Sequence, residues 1–361
     1  MKNSFGNAIN ISLFGESHGT GVGVLIDGIA PGIKVDEDFI AHQLTLRRPT
    51  GKISTARREP DNFIIQSGVF NGYTTGAPLC IFIPNTDARS RDYTPDLPRP
   101  SHADFCAREK YHGFEDYRGG GHFSGRITAA LVAAGAIVIP ALREMGIYIG
   151  TYIKQISNIS FSSLTHDKET LLAVAESDYG VINEADLSAM TDIIERAAAD
   201  GDSVGGVLET AVIGLPAGLG EPWFDGVESQ IARAVFGIPA VKGISFGAED
   251  ISMLPGSQAN DQFVLKDGII VTETNNSGGV QGGITNGMPL VFQTTIKPTP
   301  SISKEQKTVN MATLEEVTLS VKGRHDPCIV PRARIVLDSV AALVIADMLT
   351  VRYGSDALIR K

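Results

Sequence analysis

Hydrophobic and polar residues alternate with period two in several short stretches, the pattern of a half-buried strand. INISLF (Ile9–Phe14) and GVGVLID (Gly21–Asp27) are the first of these, and each ends on glycine-rich residues that read as turns. Period-3.6 patterns place amphipathic helices over Asp36–Leu44 and Asp225–Val235. Two longer stretches, near Ser124–Arg143 and Pro331–Leu349, are apolar on most sides and predict buried helices. The most apolar run, Ile127 to Leu142, is interrupted by Gly135 and Pro140. It is shorter than the roughly 20 residues that span a bilayer. Ser157–Asp202 is acidic and polar, and reads as a mostly helical insertion on the outside.

The pattern repeats. GVFNGYTTGAPL (Gly68–Leu79) aligns without gaps to GVQGGITNGMPL (Gly279–Leu290), with seven of twelve positions identical. GIAPGI (Gly28–Ile33) resembles GLPAGL (Gly214–Leu219), and each follows a β-rich run and precedes an amphipathic helix. Shared order along the chain argues against a chance likeness of glycine turns. The fold expected is α+β: a duplicated unit with a pseudo-twofold axis, each half giving an antiparallel sheet, and the long apolar helices packed between the sheets. No stretch looks like a linker, so residues 1–361 are expected to form a single domain.

Composition narrows the function. With 43% hydrophobic and 20% charged residues the chain is ordinary for a globular protein. The net charge of −10 argues against a nucleic-acid partner, which requires a broad basic face. Cys80, Cys106 and Cys328 are widely spaced and form no CxxC pair, which suits a reducing, cytoplasmic setting. The first residues, MKNSFGNAINIS, have no apolar core of signal-peptide length, and no membrane association is expected.

Against this acidic background, several segments carry chemistry. GESHG (Gly15–Gly19) matches the G-x-S-x-G nucleophile elbow, whose serine needs a strand before it and a helix after it. The strand is present. The residues after Gly19 read as a second strand instead of a helix, so Ser17 is not read as a nucleophile and His18 becomes the residue to explain. LRRPTGKISTARREPD gathers Arg47, Arg48, Lys52, Arg57 and Arg58 in one loop-like segment, suited either to anions or to a solvated surface. In PRPSHADFCAREKY, Ser101 can N-cap a helix that His102 begins. In YRGGGHFSGRITAA, three glycines open toward a helix whose N-terminus can hold an anion, although neither a P-loop nor G-x-G-x-x-G is present. KPTPSI (Lys297–Ile302) is a rigid turn with one cation, and KGRHDPC (Lys322–Cys328) brings Arg, His and Asp together before a helix. Adjacent residues such as His325 and Asp326 rarely converge on one ion, so no metal site is expected.

Taken together and in order, GESHG, RRP…RREPD, SGVFNGYTTGAPL, NTDARSRDY, RPSHAD, YRGGGHFSGR, GLPAGLGEP, VKG, GGVQGGITNG, KPTPSI and GRHDPC resemble the chorismate synthase family over nearly the whole chain. The resemblance implies a β-α-β sandwich and a homotetramer. It also implies a carbon–oxygen lyase that converts 5-enolpyruvylshikimate 3-phosphate to chorismate and phosphate by anti-1,4 elimination, with reduced FMN required and no net redox change. An FMN-dependent reductase or an electron carrier is the alternative, and a non-catalytic anion-binding protein is disfavoured by clusters spread over five segments.

The resemblance also implies roles. His18 would protonate the reduced flavin, His102 the departing phosphate, and Asp326 would help, through the flavin, to remove the ring proton. FMN contacts map onto His122, Phe123, Ser124, Pro239, Ala240, Gly282, Lys297, Pro298, Thr299, Pro300, Ser301 and Arg324. Arg47, Arg48, Arg126 and Ser17 map to substrate, and Arg47 and Lys52 also to a nicotinamide or phosphate contact. Many members carry Arg-Ser-Ser-Ala-Arg where this chain has His122-Phe123-Ser124-Gly125-Arg126. No reductase domain is visible, so an external flavin reductase is expected, with NADPH as an indirect reductant.

Overall fold

The structure, a computed structural model, describes residues 2–49, 53–54, 60–86, 94–321 and 326–359. Lys52, Arg57, Arg58, Arg324 and His325 therefore lie outside the described residues.

In the first half the chain runs through strands β1 (Ser4–Phe5), β2 (Asn10–Gly15) and β3 (Gly21–Asp27) into helix α1 (Glu37–Arg47). Asp36 caps α1 by accepting the Phe39 N–H at 3.0 Å. Strands β4 (Ile64–Ser67), β5 (Val69–Phe70), β6 (Tyr73–Thr74) and β7 (Leu79–Pro84) follow, then helices α2 (Asp104–Tyr111) and α3 (Thr128–Glu144). The second half holds β8 (Tyr148–Ile156), β9 (Ile159–Ser160), α4 (Lys168–Glu176), α5 (Glu184–Ala199), β10 (Gly206–Ile213), α6 (Val227–Val235) and β11 (Val241–Phe246). After these come α7 (Gly256–Ala259), β12 (Phe263–Lys266), β13 (Ile269–Thr272), β14 (Val280–Gln281), β15 (Ile284–Thr285) and β16 (Leu290–Ile296). The chain then forms β17 (Gln306–Asn310), β18 (Glu315–Leu319) and α8 (Val330–Tyr353).

The protein is α+β, with two five-stranded antiparallel sheets ordered β1-β2-β3-β7-β4 and β11-β16-β10-β8-β9. Helix α3 packs on β3 and β7, α8 packs on β8 and β10, and the two helices pack on each other. Every residue of α3 from Thr128 to Ile139 is buried, as is α8 from Val330 to Thr350 apart from Arg332. This accounts for a sequence without a polar face. The segment Gly125–Glu144 is long and apolar enough to cross a membrane, but 89% of its most apolar window is buried inside the protein.

Gly135 and Pro140 do not end α3, which runs through both. A Cβ on Gly135 would strike the backbone and Cβ of Ser339 in α8. The glycine is there because the helices meet at that point.

The two halves use the same turn. Thr74 Oγ1 donates to the Ala30 carbonyl and accepts the Ile33 N–H at 2.9 Å. Thr285 Oγ1 donates to the Pro216 carbonyl at 2.7 Å and accepts the Leu219 N–H at 2.8 Å. Between β2 and β3 the chain needs only the GESHG turn, whereas between β8 and β10 it carries β9, α4 and α5.

Candidate active site

Connections from four places in the fold, together with the N-terminal segment Lys2–Phe5, converge on one cavity of about 880 Å³. They are the GESHG turn, the run from β7 to α3, the turn from α6 to β11, and the run from β16 to α8. The volume is near the upper end for small-molecule sites, roughly 300–1,000 Å³. It leaves room for more than one ligand.

His18 and His102 line this same cavity and meet on the glycine turn. Gly119, Gly120 and Gly121 have φ of +63°, +85° and +53°. They form a left-handed turn, not the helix N-terminus expected from sequence, and α3 begins seven residues beyond Gly121. A Cβ on Gly119 would lie 2.5 Å from the His18 ring, and one on Gly120 would lie 2.9 Å from His102 Cε1. Glycine is required because the backbone itself forms the floor between two imidazoles.

The element after GESHG settles the elbow question. It is strand β3, not a helix, and Ser17 is fully buried. Its Oγ has no hydrogen-bond partner among the described residues and sits beside Gly119.

Ser101 does not cap a helix at His102. Its φ is +61°, α2 starts at Asp104, and Ala103 precedes it without a side-chain cap. The turn is closed instead by Asp104, whose Oδ2 accepts the Arg99 backbone N–H at 2.9 Å. This leaves the Ser101 carbonyl to accept from Lys297 Nζ. Lys297 is thereby held at the cavity, and burial together with the neighbouring Lys242 lowers its pKa.

Asp326 is the one carboxylate in the described lining. Its Oδ2 accepts from Arg332 Nη1 at 2.5 Å, while Oδ1 is buried without a partner among the described residues. Burial pushes the Asp326 carboxyl up, against the pull of Arg332. Arg332 Nε also donates to the Arg47 carbonyl at 3.0 Å, which ties α1 to this wall.

Of the residues singled out in the sequence, His18, His102, Asp326, His122, Phe123, Ser124, Pro239, Ala240, Lys297, Thr299, Pro300 and Ser301 line the cavity. Pro298, Gly282, Arg47, Arg48, Ser17 and Arg126 do not, and Lys52 and Arg324 lie outside the described residues. Gly282 is in the β14–β15 turn. Arg48 Nη2 donates to Thr45 Oγ1 at 2.9 Å. Arg126 is buried, its side chain 3% exposed, where it pairs with Asp61 and reaches Asn85 Oδ1 at 2.9 Å. That arrangement supports the wall from behind.

The structure adds lining that the sequence did not single out: Lys2, Arg99, Arg233 and Lys242. The spacing Arg99-x-x-His102-x-Asp104 was the available signal for Arg99. Nothing local marked Arg233 or Lys242. Among the described residues, five Lys and Arg side chains, three histidines and a single carboxylate thus line the cavity, in a chain of net charge −10.

An α+β fold whose connections gather cations, imidazoles and one carboxylate around a deep cavity defines an enzyme acting on a small anionic substrate. A family model described as chorismate synthase matches residues 9–350. Similar proteins include the chorismate synthases of Thermococcus kodakarensis, 47% identical over 98% of this chain and 99% of that one, and of Dehalococcoides mccartyi, 46% identical over 96% of each. A crystal structure of a chorismate synthase superposes with a TM-score of 0.77 at 30% identity, covering 97% of this chain and 94% of that one. The chain belongs to the chorismate synthase family.

Proposed function

We propose that the cavity binds the substrate and reduced FMN together, with His18, His102 and Asp326 as its proton-handling groups. The chain is a carbon–oxygen lyase that converts 5-enolpyruvylshikimate 3-phosphate to chorismate and phosphate, a step of aromatic amino-acid biosynthesis. The observation that carries the site reading is the cationic lining of an otherwise acidic protein: a substrate with a phosphate and two carboxylates needs such a concentration of positive charge.

The residues fit a flavin phosphate and a second anion. Thr299 Oγ1 is buried without a partner among the described residues, and Lys297 is held beside Thr299 on the KPTPSI turn. Lys297, Thr299 and Ser301 would hold the phosphate, and Phe123, Pro239 and Ala240 would flank the ring. When bound, reduced FMN supplies electron density that eases rupture of the allylic C–O bond. His102 donates a proton to the departing phosphate, and His18 holds a proton over the Gly119 floor. Asp326, desolvated, is placed to accept one. Each histidine contributes about 10² to 10⁴ in rate, the usual range for one acid or base.

Finer features of the family are part of the same reading. Matching strand orders and matched threonine turns support a duplicated β-α-β sandwich, with Ser157–Asp202 as an insertion into the second half of one domain. Exposed Phe263, Leu265, Ile269 and Ile270 on the β12–β13 hairpin, with Trp223 and Phe224, support assembly into a homotetramer. The enzyme works in the cytoplasm and receives reduced FMN from an external flavin reductase, with NADPH as the indirect reductant.

The test is anaerobic incubation with substrate and either photoreduced or oxidised FMN, measuring released phosphate. Release with the reduced form alone, the flavin remaining reduced, is the expected result. Release with oxidised FMN, or consumption of reduced flavin in proportion to product, would overturn the reading.

A further inference from the structure

Asp104 has no role assigned by the family resemblance, yet it touches His102 directly. Its Oδ1 accepts from His102 Nδ1 at 2.5 Å and from Arg99 Nη2 at 2.8 Å. Its Oδ2 accepts from Arg99 Nε at 2.8 Å. The three side chains are only 10–16% exposed, so water competes little for these bonds.

Arg99 Nη2 also lies 3.0 Å from His102 Nδ1. A guanidinium nitrogen can only donate, so a bond there would need Nδ1 bare, whereas the carboxylate needs Nδ1 to carry a proton. The two bonds exclude each other. The carboxylate contact is the shorter and is charge-assisted, and Nη2 is already engaged with Oδ1. Nδ1 therefore carries the proton. Nε2 is the ring nitrogen left without these partners, on a residue that lines the cavity, and a Cβ on Gly120 would come within 3.1 Å of it.

We propose that Asp104, held in plane by Arg99, is a positioning residue that fixes His102 as its Nδ1–H tautomer and presents Nε2 to the leaving phosphate. The proposal rests on His102 being the proton donor. Burial would push the Asp104 carboxyl up, but hydrogen bonds from Arg99 and His102 outweigh it and hold the group well below the usual carboxylate range. Asp104 stays ionised and takes no proton during turnover. In the step it supports, His102 enters as the imidazolium with both nitrogens protonated. The proton on Nε2 passes to a phosphate oxygen as the C–O bond breaks, and the C–O electron pair leaves with the phosphate. The ring proton departs to base, its C–H pair forms a double bond to the neighbouring ring carbon, and the existing double-bond pair shifts to the carbon that loses the phosphate. His102 ends neutral, with Nδ1–H still bonded to Asp104.

The experiment uses ¹⁵N-labelled holoenzyme, with the His102 signals assigned by difference from His102→Ala, alongside anaerobic kinetics. In the neutral ring, the wild-type proton is expected on Nδ1. In Asp104→Asn, Arg99 is left facing Nδ1 and the proton is expected on Nε2, with kcat down by about 10² to 10⁴ and KM little changed. Asp104→Glu should recover part of kcat. An Nε2–H tautomer in the wild type, which needs no variant to observe, overturns the proposal. So does a fully active Asp104→Asn beside an impaired His102→Ala. A fully active His102→Ala would instead overturn the proton-donor reading on which the proposal rests.

Discussion

His122 Nδ1 lies 2.8 Å from the carbonyl oxygen of Gly15, joining the residue after the three glycines to the end of the strand that launches GESHG. A carbonyl only accepts, so Nδ1 carries the proton. One step along, the Ser17 N–H donates to the Gly121 carbonyl at 3.0 Å. Residues 15–17 and 121–122 therefore move as a unit, and His18 is carried by it. Replacing His122 by Phe removes the donor and should cost about 1 kcal/mol of stability, the net worth of one such bond. Activity should fall through His18, and His122→Asn, which keeps a donor, should lose less. Urea unfolding and anaerobic turnover measure the two effects. Unchanged activity in His122→Phe would separate this histidine from the site.

Gly119→Ala places a methyl group 2.5 Å from the His18 ring and forces an L-residue to φ +63°. The backbone cost is about 1 kcal/mol, but displacement of His18 is the larger effect on function. The variant should remain folded with kcat reduced by about tenfold or more. Gly32, also at positive φ but with open space around its Cβ position, serves as a control for backbone strain alone. Gly32→Ala should lose similar stability and keep its turnover.

Arg126 tests whether a basic residue at the expected place acts on substrate or on structure. Its guanidinium is enclosed with Asp61, Asn85 and the Pro84 carbonyl. Asp61→Ala removes the buried carboxylate that Arg126 pairs with and should cost about 3–5 kcal/mol. Replacing both partners by apolar residues of similar volume should cost less than either single change. Denaturant unfolding of the two single variants and the double variant decides it. Additive losses would mean that the pair is not coupled.

Much of the fold is legible in the sequence because it rests on local periodicity and on repetition. The repeat around Thr74 and Thr285 can be read from seven shared residues, and the structure gives both threonines the same bonds. The hidden part depends on which side chains meet across the fold. Arg126 reads as an anion binder, since nothing in its own segment announces Asp61. Ser101 reads as a cap because Ser before a helical pattern usually is one; Asp104, tied back to Arg99, moves the helix start. Arg233 and Lys242 reach the cavity only because β11 pairs with β16 and delivers their turn to Lys297. The motif order points to the site, whereas the closing wall requires coordinates.

The pH dependence of folding should carry the mark of Asp338, a carboxyl in α8 that is buried against strand β8. Burial pushes its pKa up to about 6, although Thr151 Oγ1 donates to Oδ1 at 2.6 Å and Arg334 is close by. In the unfolded chain the same group titrates near the ordinary value of 3.8. The folded protein therefore binds the proton more tightly, so the stabilisation is fully present below about pH 4 and is lost as pH rises through about 6. Above that the curve should be flat with respect to this group. The loss amounts to about 3 kcal/mol. Asp338→Asn cannot ionise yet keeps a carbonyl for the Thr151 hydroxyl. It should unfold at higher urea concentration than the wild type at pH 7.5, and the gap should close toward pH 4. Glu209 works in the opposite sense. Its burial is outweighed by hydrogen bonds from His166, Lys154 and Tyr152, which hold it at about 2, so its stabilisation is lost only as pH falls below the ordinary 4.5. It is common to both proteins and cancels from the comparison. A gap that stays constant from pH 4 to 7.5 would mean that Asp338 is already ionised at the acid end and that its burial is compensated within the core.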